Sequence, residues 1–191
     1  ADLVRLPLKE PTRATAALIS LVEFQHKENI GRGEIISIVL GLIIGSISFS
    51  GSMVAFAKLQ ELISGRAISY PSQRQINAVI GIAVVVVAVI IAALLQTGLT
   101  HVLIVVLFIG ALILGVLTVL PIGGADMPVV IAVLNSMTGV AAALTGFVLN
   151  NQALIIAGIL VGASGAFLTL LMARALNRSV ANVLFGAWGA A

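Results

Sequence analysis

Residues 76–96, INAVIGIAVVVVAVIIAALLQ, run twenty-one positions without a charge. A helix needs roughly 20 apolar residues to cross a hydrocarbon core about 30 Å thick, so this stretch reads as a membrane span. Its apolar residues are consecutive, as at Val84 to Val87, where a barrel strand would alternate between lipid and lumen. Outward from it, four more runs of that length appear at residues 35–63, 101–120, 128–149 and 153–176. Their joins are short enough to turn each helix back antiparallel to the last. The expected fold is all-α, a polytopic transmembrane helix bundle of five helices over residues 35–176.

Composition agrees. The chain of 191 residues is 60% hydrophobic and 9% charged, against about 25% charged in a soluble domain. Seventeen Lys, Arg, Asp and Glu residues cannot wet the surface of a globule this size, which excludes a soluble enzyme, a disordered chain and a nucleic-acid binder. The net charge of +3 is better read as a topology mark. There is no cysteine, hence no disulfide and no thiolate metal site.

Lys and Arg fix orientation. Lys58, Arg66 and Arg74 lie in one join, Arg174 and Arg178 follow the last span, and the joins near residues 97–100 and 150–152 carry none. With Arg5, Lys9 and Arg13, eight of the ten basic residues share the cytoplasmic side, and Lys27 and Arg32 lie opposite. The loop at residues 121–127 is then cytoplasmic. Residues 1–24 read as a partial or broken helix, discontinuous with the rest or incomplete, because residues 14–22 hold only nine positions before Glu23. A loop is expected at residues 25–34 and a C-terminal segment at 177–191. This stretch does not read as a secretory signal, since Asp2 and Glu10 are acidic and Pro7 and Pro11 interrupt it.

Helix packing in lipid relies on small residues. Gly41, Gly45, Ser48 and Ser52 form one stripe, and Gly158, Gly162, Gly165 and Thr169 repeat its spacing on the last span. Both are expected to be tight contacts. The span from Pro128 carries an amide in mid-run, with Asn135, Thr138, Ala142 and Thr145 along one face and Ser136 and Gly139 beside them. At about 1.5 Å per residue Asn135 lies roughly 10 Å below the cytoplasmic end. An amide at that depth needs partners, either across a helix interface or as the wall of a hydrated path, and its position leaves both open. Ser164, mid-way along the last span, either faces the same interior or bonds its own helix, as do Ser46 and Ser50.

No acid or base lies centrally in any complete span, so Asn, Ser and Thr there can order water but not hold a proton near neutral pH. His101 sits at the outer edge and His26 beside Lys27 in a loop. Asp126 precedes a helix that opens with Pro128, where an acid caps free N–H groups; the alternative is a docking contact on the cytoplasmic surface. Gly31-Arg32-Gly33 follows no strand, and no Walker loop, metal cluster or nucleophile triad is found, so no catalytic residue and no metal site are expected. Asn177-Arg178-Ser179 matches a glycosylation sequon but falls on the cytoplasmic side. The residues alone also suit a small-solute transporter or channel subunit, or a passive membrane anchor. A transporter predicts internal repeats with broken helices, and none is seen beyond the stripes.

Residues 121–139, PIGGADMPVVIAVLNSMTG, closely resemble the membrane domain of the proton-translocating NAD(P) transhydrogenase β subunit. Residues 49–59, FSGSMVAFAKL, 158–166, GILVGASGA, and 172–179, MARALNRS, are similar to the same family in the same order, and the likeness covers about residues 34–189. It implies a proton path coupled to hydride transfer between NAD(H) and NADP(H), both held by separate soluble domains, with no cofactor in this chain. It implies that Asn135, with Ser136 nearby, lines the proton path and that Ser164 lies close to it. Asp126 would face the NADP(H) domain and Arg178 would mark the hinge toward it. The implied partners are the α-chain membrane helices, the NADP(H)- and NAD(H)-binding domains, the lipid bilayer and a second copy of the enzyme in a homodimer, with no nucleic acid. The implied place is the inner (plasma) membrane of a bacterium. Met137 and Thr138 replace the family's usual aromatic residue and Ser, and the family's candidate proton-carrying His on an earlier helix has no match in His26 or His101. The chain stops at Gly189-Ala190-Ala191, where the family continues into the NADP(H) domain, so the resemblance implies a membrane-domain fragment.

Overall fold

A computed structural model describes residues 19, 32–68, 70, 72–94 and 98–185. Among them run α1 (Arg32–Leu59), α2 (Gln73–Leu94), α3 (Gly98–Val119), a 3₁₀ turn (Gly124–Asp126), α4 (Met127–Val148), α5 (Gln152–Ala175) and the short α6 (Val180–Phe185). The first five of these α-helices are long and apolar enough to cross a membrane, and no strand occurs among the described residues. The N-terminal readings, with the loop up to residue 31, lie outside the described residues apart from Ile19.

Helix ends differ from the apolar runs by one to four residues, for local reasons. The run that ends in apolar Leu62 and Ile63 extends past α1, yet the chain turns there. Glu61 takes φ 58°, and the N–H groups of Leu62 and Ile63 both return to the carbonyl of Ala57, at 3.0 and 3.3 Å. Such a left-handed residue satisfies carbonyls that the helix end leaves free. Asn150 does the same after α4 at φ 54°, and the side chain of Asn151 then accepts the Leu154 N–H at 3.1 Å to start α5.

α1 is the most buried of the five spans and packs on α3 and α4. α5 lies along α4, and α2 leans on α3. The outward faces of α2, α3 and α5 present Val79, Ile82, Val105, Ile109, Ile159 and Phe167, a surface suited to acyl chains. Inside are two apolar clusters. One joins Ile35, Ile38 and Leu42 of α1 to Val84, Ile91, Ile104, Leu107 and Val148. The other, toward the basic ends, joins Val54 and Ala55 to Val119, Ile122, Met127, Val130, Leu134, Ala173 and Val183. The stretch of α1 between its two contributions carries Ser46, Ser48, Ser50 and Ser52, all buried. A hydroxyl belt thus separates the clusters, and the polar face of α4 meets it.

Close approach explains the glycines. A methyl group on Gly139 would lie 2.7 Å from the Cα of Gly162, and one on Gly165 would lie 2.8 Å from the Cα of Ser136. Gly158, Gly162, Gly165 and Thr169 are the buried face of α5, so the expected small-residue stripe is its seam with α4.

Candidate functional site: the polar face of α4 and the loop before it

α4 is held from two sides. Toward α5, Ser136 donates its hydroxyl to the carbonyl of Gly162 at 2.7 Å. Toward α1, the Ser48 hydroxyl lies 2.8 Å from the Leu134 carbonyl and 2.7 Å from the Thr138 hydroxyl, which itself lies 2.8 Å from the same carbonyl. Two hydroxyl hydrogens therefore serve three oxygens. The close approach of α1, α4 and α5 leaves each hydroxyl within reach of a carbonyl, so these polar groups are satisfied without water.

Asn135 differs. At 100° per residue it falls about 60° from Thr138 and about 100° from Ser136, in the sector between the α1 and α5 contacts, together with Ala142. It is half-buried, and its amide makes no hydrogen bond with any described residue. An unsatisfied amide in hydrocarbon costs several kcal/mol, so this face calls for water or for polar groups outside the described residues. An interhelical bond within the described bundle, the alternative left open by the sequence, is not made.

Ser164 is on the exposed side of α5, bonding the carbonyl of its own Val161 at 3.0 Å, while neighbouring Gly165 is the residue that turns to Ser136. The described bundle does not bring Ser164 to Asn135. Ser46 and Ser50 likewise bond within their helix, to Leu42 at 2.6 Å and Ser46 at 3.0 Å.

At the basic end the structure joins two residues 52 positions apart. Arg178 donates through Nη1 to Oδ2 of Asp126. The capping role expected of Asp126 is not found: it occupies the position before α4 with φ −82° and ψ −13° and makes no side-chain cap hydrogen bond. In that helical backbone conformation its carboxylate turns outward to the arginine instead of back over the first turn. The pair is partly exposed, with side chains 53% and 20% accessible for Arg178 and Asp126. It ties the start of α4 to the segment that follows α5.

Beneath Asp126 lies an arrangement that the sequence reading missed. Lys58, 4% exposed, sends its ammonium to the carbonyls of Leu120, Ile122 and Arg66, the last two at 2.7 and 3.4 Å. The clue was helical phase. Gly51, Val54, Ala55 and Lys58 recur at i, i+3, i+4 and i+7, which puts the lysine on the buried stripe of α1. Nearby, Tyr70 donates to Oδ1 of buried Asn77 at 2.6 Å. Burial pushes the Tyr70 phenol above its ordinary pKa, with the Asn77 hydrogen bond opposing. No group of three metal-ligating side chains occurs among the described residues.

Residues 11–191 match the family model described as NAD(P) transhydrogenase beta subunit. Two curated Rhodospirillum rubrum sequences named NAD(P) transhydrogenase subunit beta are each 50% identical over 160 residues, 84% of this chain and 34% of theirs. The chain thus spans about a third of the length of those relatives. Spans, motifs and matches agree, and the chain belongs to the NAD(P) transhydrogenase beta subunit family.

Proposed function

We propose that this chain is the membrane part of a proton-translocating NAD(P) transhydrogenase and supplies one wall of the proton path. The observation that carries the reading is Asn135, an amide in the membrane interior without a hydrogen bond among the described residues, beside a fully bonded hydroxyl belt. An amide donates and accepts, so it orders water on both sides of itself, but it does not titrate; the proton is loaded and released by groups elsewhere in the path. The Ser136 hydroxyl is committed to Gly162 and holds the helix at the depth where Asn135 meets that water. Ser164 belongs to the path only where another chain covers the outer side of α5.

Hydride transfer between NAD(H) and NADP(H) takes place in separate soluble domains. No step of that reaction is assigned to the described residues. Asp126 and Arg178 form the surface on which the NADP(H) domain rests and the hinge by which it is attached. The unpaired apolar faces are covered by lipid, by α-chain membrane helices and by the second enzyme of a homodimer, in a bacterial inner membrane.

The test is Asn135→Leu in the assembled enzyme. Proton-coupled turnover should fall roughly tenfold or more, a barrier increase of about 1.4 kcal/mol, while binding of both nucleotides is retained. Unchanged coupling would remove Asn135 from the path.

A further inference from the structure

The loop after α1 and the loop before α4 are stitched together along their backbones. The Gly124 N–H donates to the Gly65 carbonyl at 3.1 Å, and the Ile68 N–H to the Leu120 carbonyl at 3.3 Å. Gly123 lies so close to the first loop that a methyl group there would stand 2.6 Å from both the Ala67 nitrogen and the Gly65 oxygen. At the centre of this seam is the ammonium of Lys58. It has three N–H donors, and three carbonyls converge on it: Arg66 from one loop, Leu120 and Ile122 from the other. No carboxylate of the described residues pairs with it. A buried charge is tolerated only where its hydrogen bonds are made, and here each donor has a carbonyl.

We propose that Lys58 is a positioning residue: its ammonium acts as a tethered cation in a three-carbonyl site, clamping the two loops so that Asp126 is presented to Arg178 in one register. The link from clamp to activity rests on the docking role proposed above for Asp126. The clamp itself is independent of it. Charge is essential to the site, because carbonyl oxygens gathered around an apolar side chain would repel one another, and those of Arg66 and Ile122 would lose the ammonium as donor. A free primary ammonium of the same chemistry should occupy the site when the lysine stem is removed.

The test uses the full enzyme in its membrane. Residues 1–191 hold no cysteine, so with every cysteine elsewhere in the enzyme replaced, Ile122→Cys offers a single thiol at a position that is 2% exposed. In Lys58→Ala and Lys58→Met, a membrane-impermeant maleimide should label that thiol roughly tenfold faster, since local opening is what exposes a buried side chain. Methylammonium should restore shielding in the alanine variant and not in the methionine variant, where the thioether fills the channel left by the stem. Lys58→Met keeps the packed stem and so tests the charge even if the alanine variant fails to accumulate. Shielding at the parental rate in Lys58→Met overturns the proposal, as does an alanine variant that stays open in methylammonium. Turnover should fall and recover in the same order as the labelling. Labelling that follows this order while turnover stays constant supports the clamp and removes the docking role of Asp126.

Discussion

The hydroxyls of Ser48 and Thr138, on α1 and α4, lie 2.7 Å apart and share the carbonyl of Leu134. That contact joins the most buried helix to the one carrying Asn135, so the orientation of the asparagine depends on a polar contact and not only on apolar packing. In lipid, apolar surface gives helices little reason to choose one rotation over another. A three-oxygen cluster does, because it is satisfied at one rotation only.

Removing either hydroxyl should therefore loosen α4 by a measurable amount. Ser48→Ala and Thr138→Ala are each expected to cost about 1 kcal/mol, the scale of interhelical hydrogen bonds in membranes. The double variant should cost less than the sum, because either single change already breaks the ring. Reversible unfolding in mixed micelles, arranged as a double-mutant cycle, measures the coupling.

The seam of α4 with α5 gives a sharper contrast among glycines. A methyl on Gly162 meets its nearest neighbour, Val140, at an ordinary 3.5 Å, whereas on Gly139 it meets backbone. Gly162→Ala should be tolerated within about 0.5 kcal/mol. Gly139→Ala should cost about 1–3 kcal/mol, as overpacking does, because backbone cannot rotate out of the way. Thermal stability of the purified enzyme ranks the two, and equal losses would contradict the described seam.

The ion pair of Asp126 with Arg178 should behave as a surface contact. Its partial exposure places its contribution to stability at about 0–1 kcal/mol, reduced by salt. Asp126→Asn should leave melting almost unchanged while lowering turnover, if the pair presents the docking surface. Exchanging the two charges, Asp126→Arg with Arg178→Asp, should recover part of that loss. A large drop in melting temperature with turnover per folded enzyme intact would reverse the assignment.

The spans were legible because a bilayer leaves few choices: a long apolar run must satisfy its backbone internally, and a helix does so. Their ends were less so. Leu62 and Ile63 are apolar, and the left-handed backbone at Glu61 stops α1 before them. The small-residue stripe of α5 could be read from its period, but not which helix it meets, since a glycine face fits any close neighbour. The contact of Arg178 with Asp126 was hidden by a separation of 52 positions. Lys58 was misleading because charge at the end of a span is ordinarily a mark of topology. Its helical phase, shared with Gly51 and Val54, was the stronger signal.

Two hydrogens distributed over the oxygens of Ser48, Thr138 and Leu134 make two chains that both end on the carbonyl, Ser48 to Thr138 to Leu134 or Thr138 to Ser48 to Leu134. Rotating both hydroxyls exchanges them with every heavy atom fixed, much as the protons of ice reorient on an unchanged lattice. The direction of the bond between α1 and α4 can thus be reversed without moving a helix, while the carbonyl next to Asn135 stays an acceptor throughout.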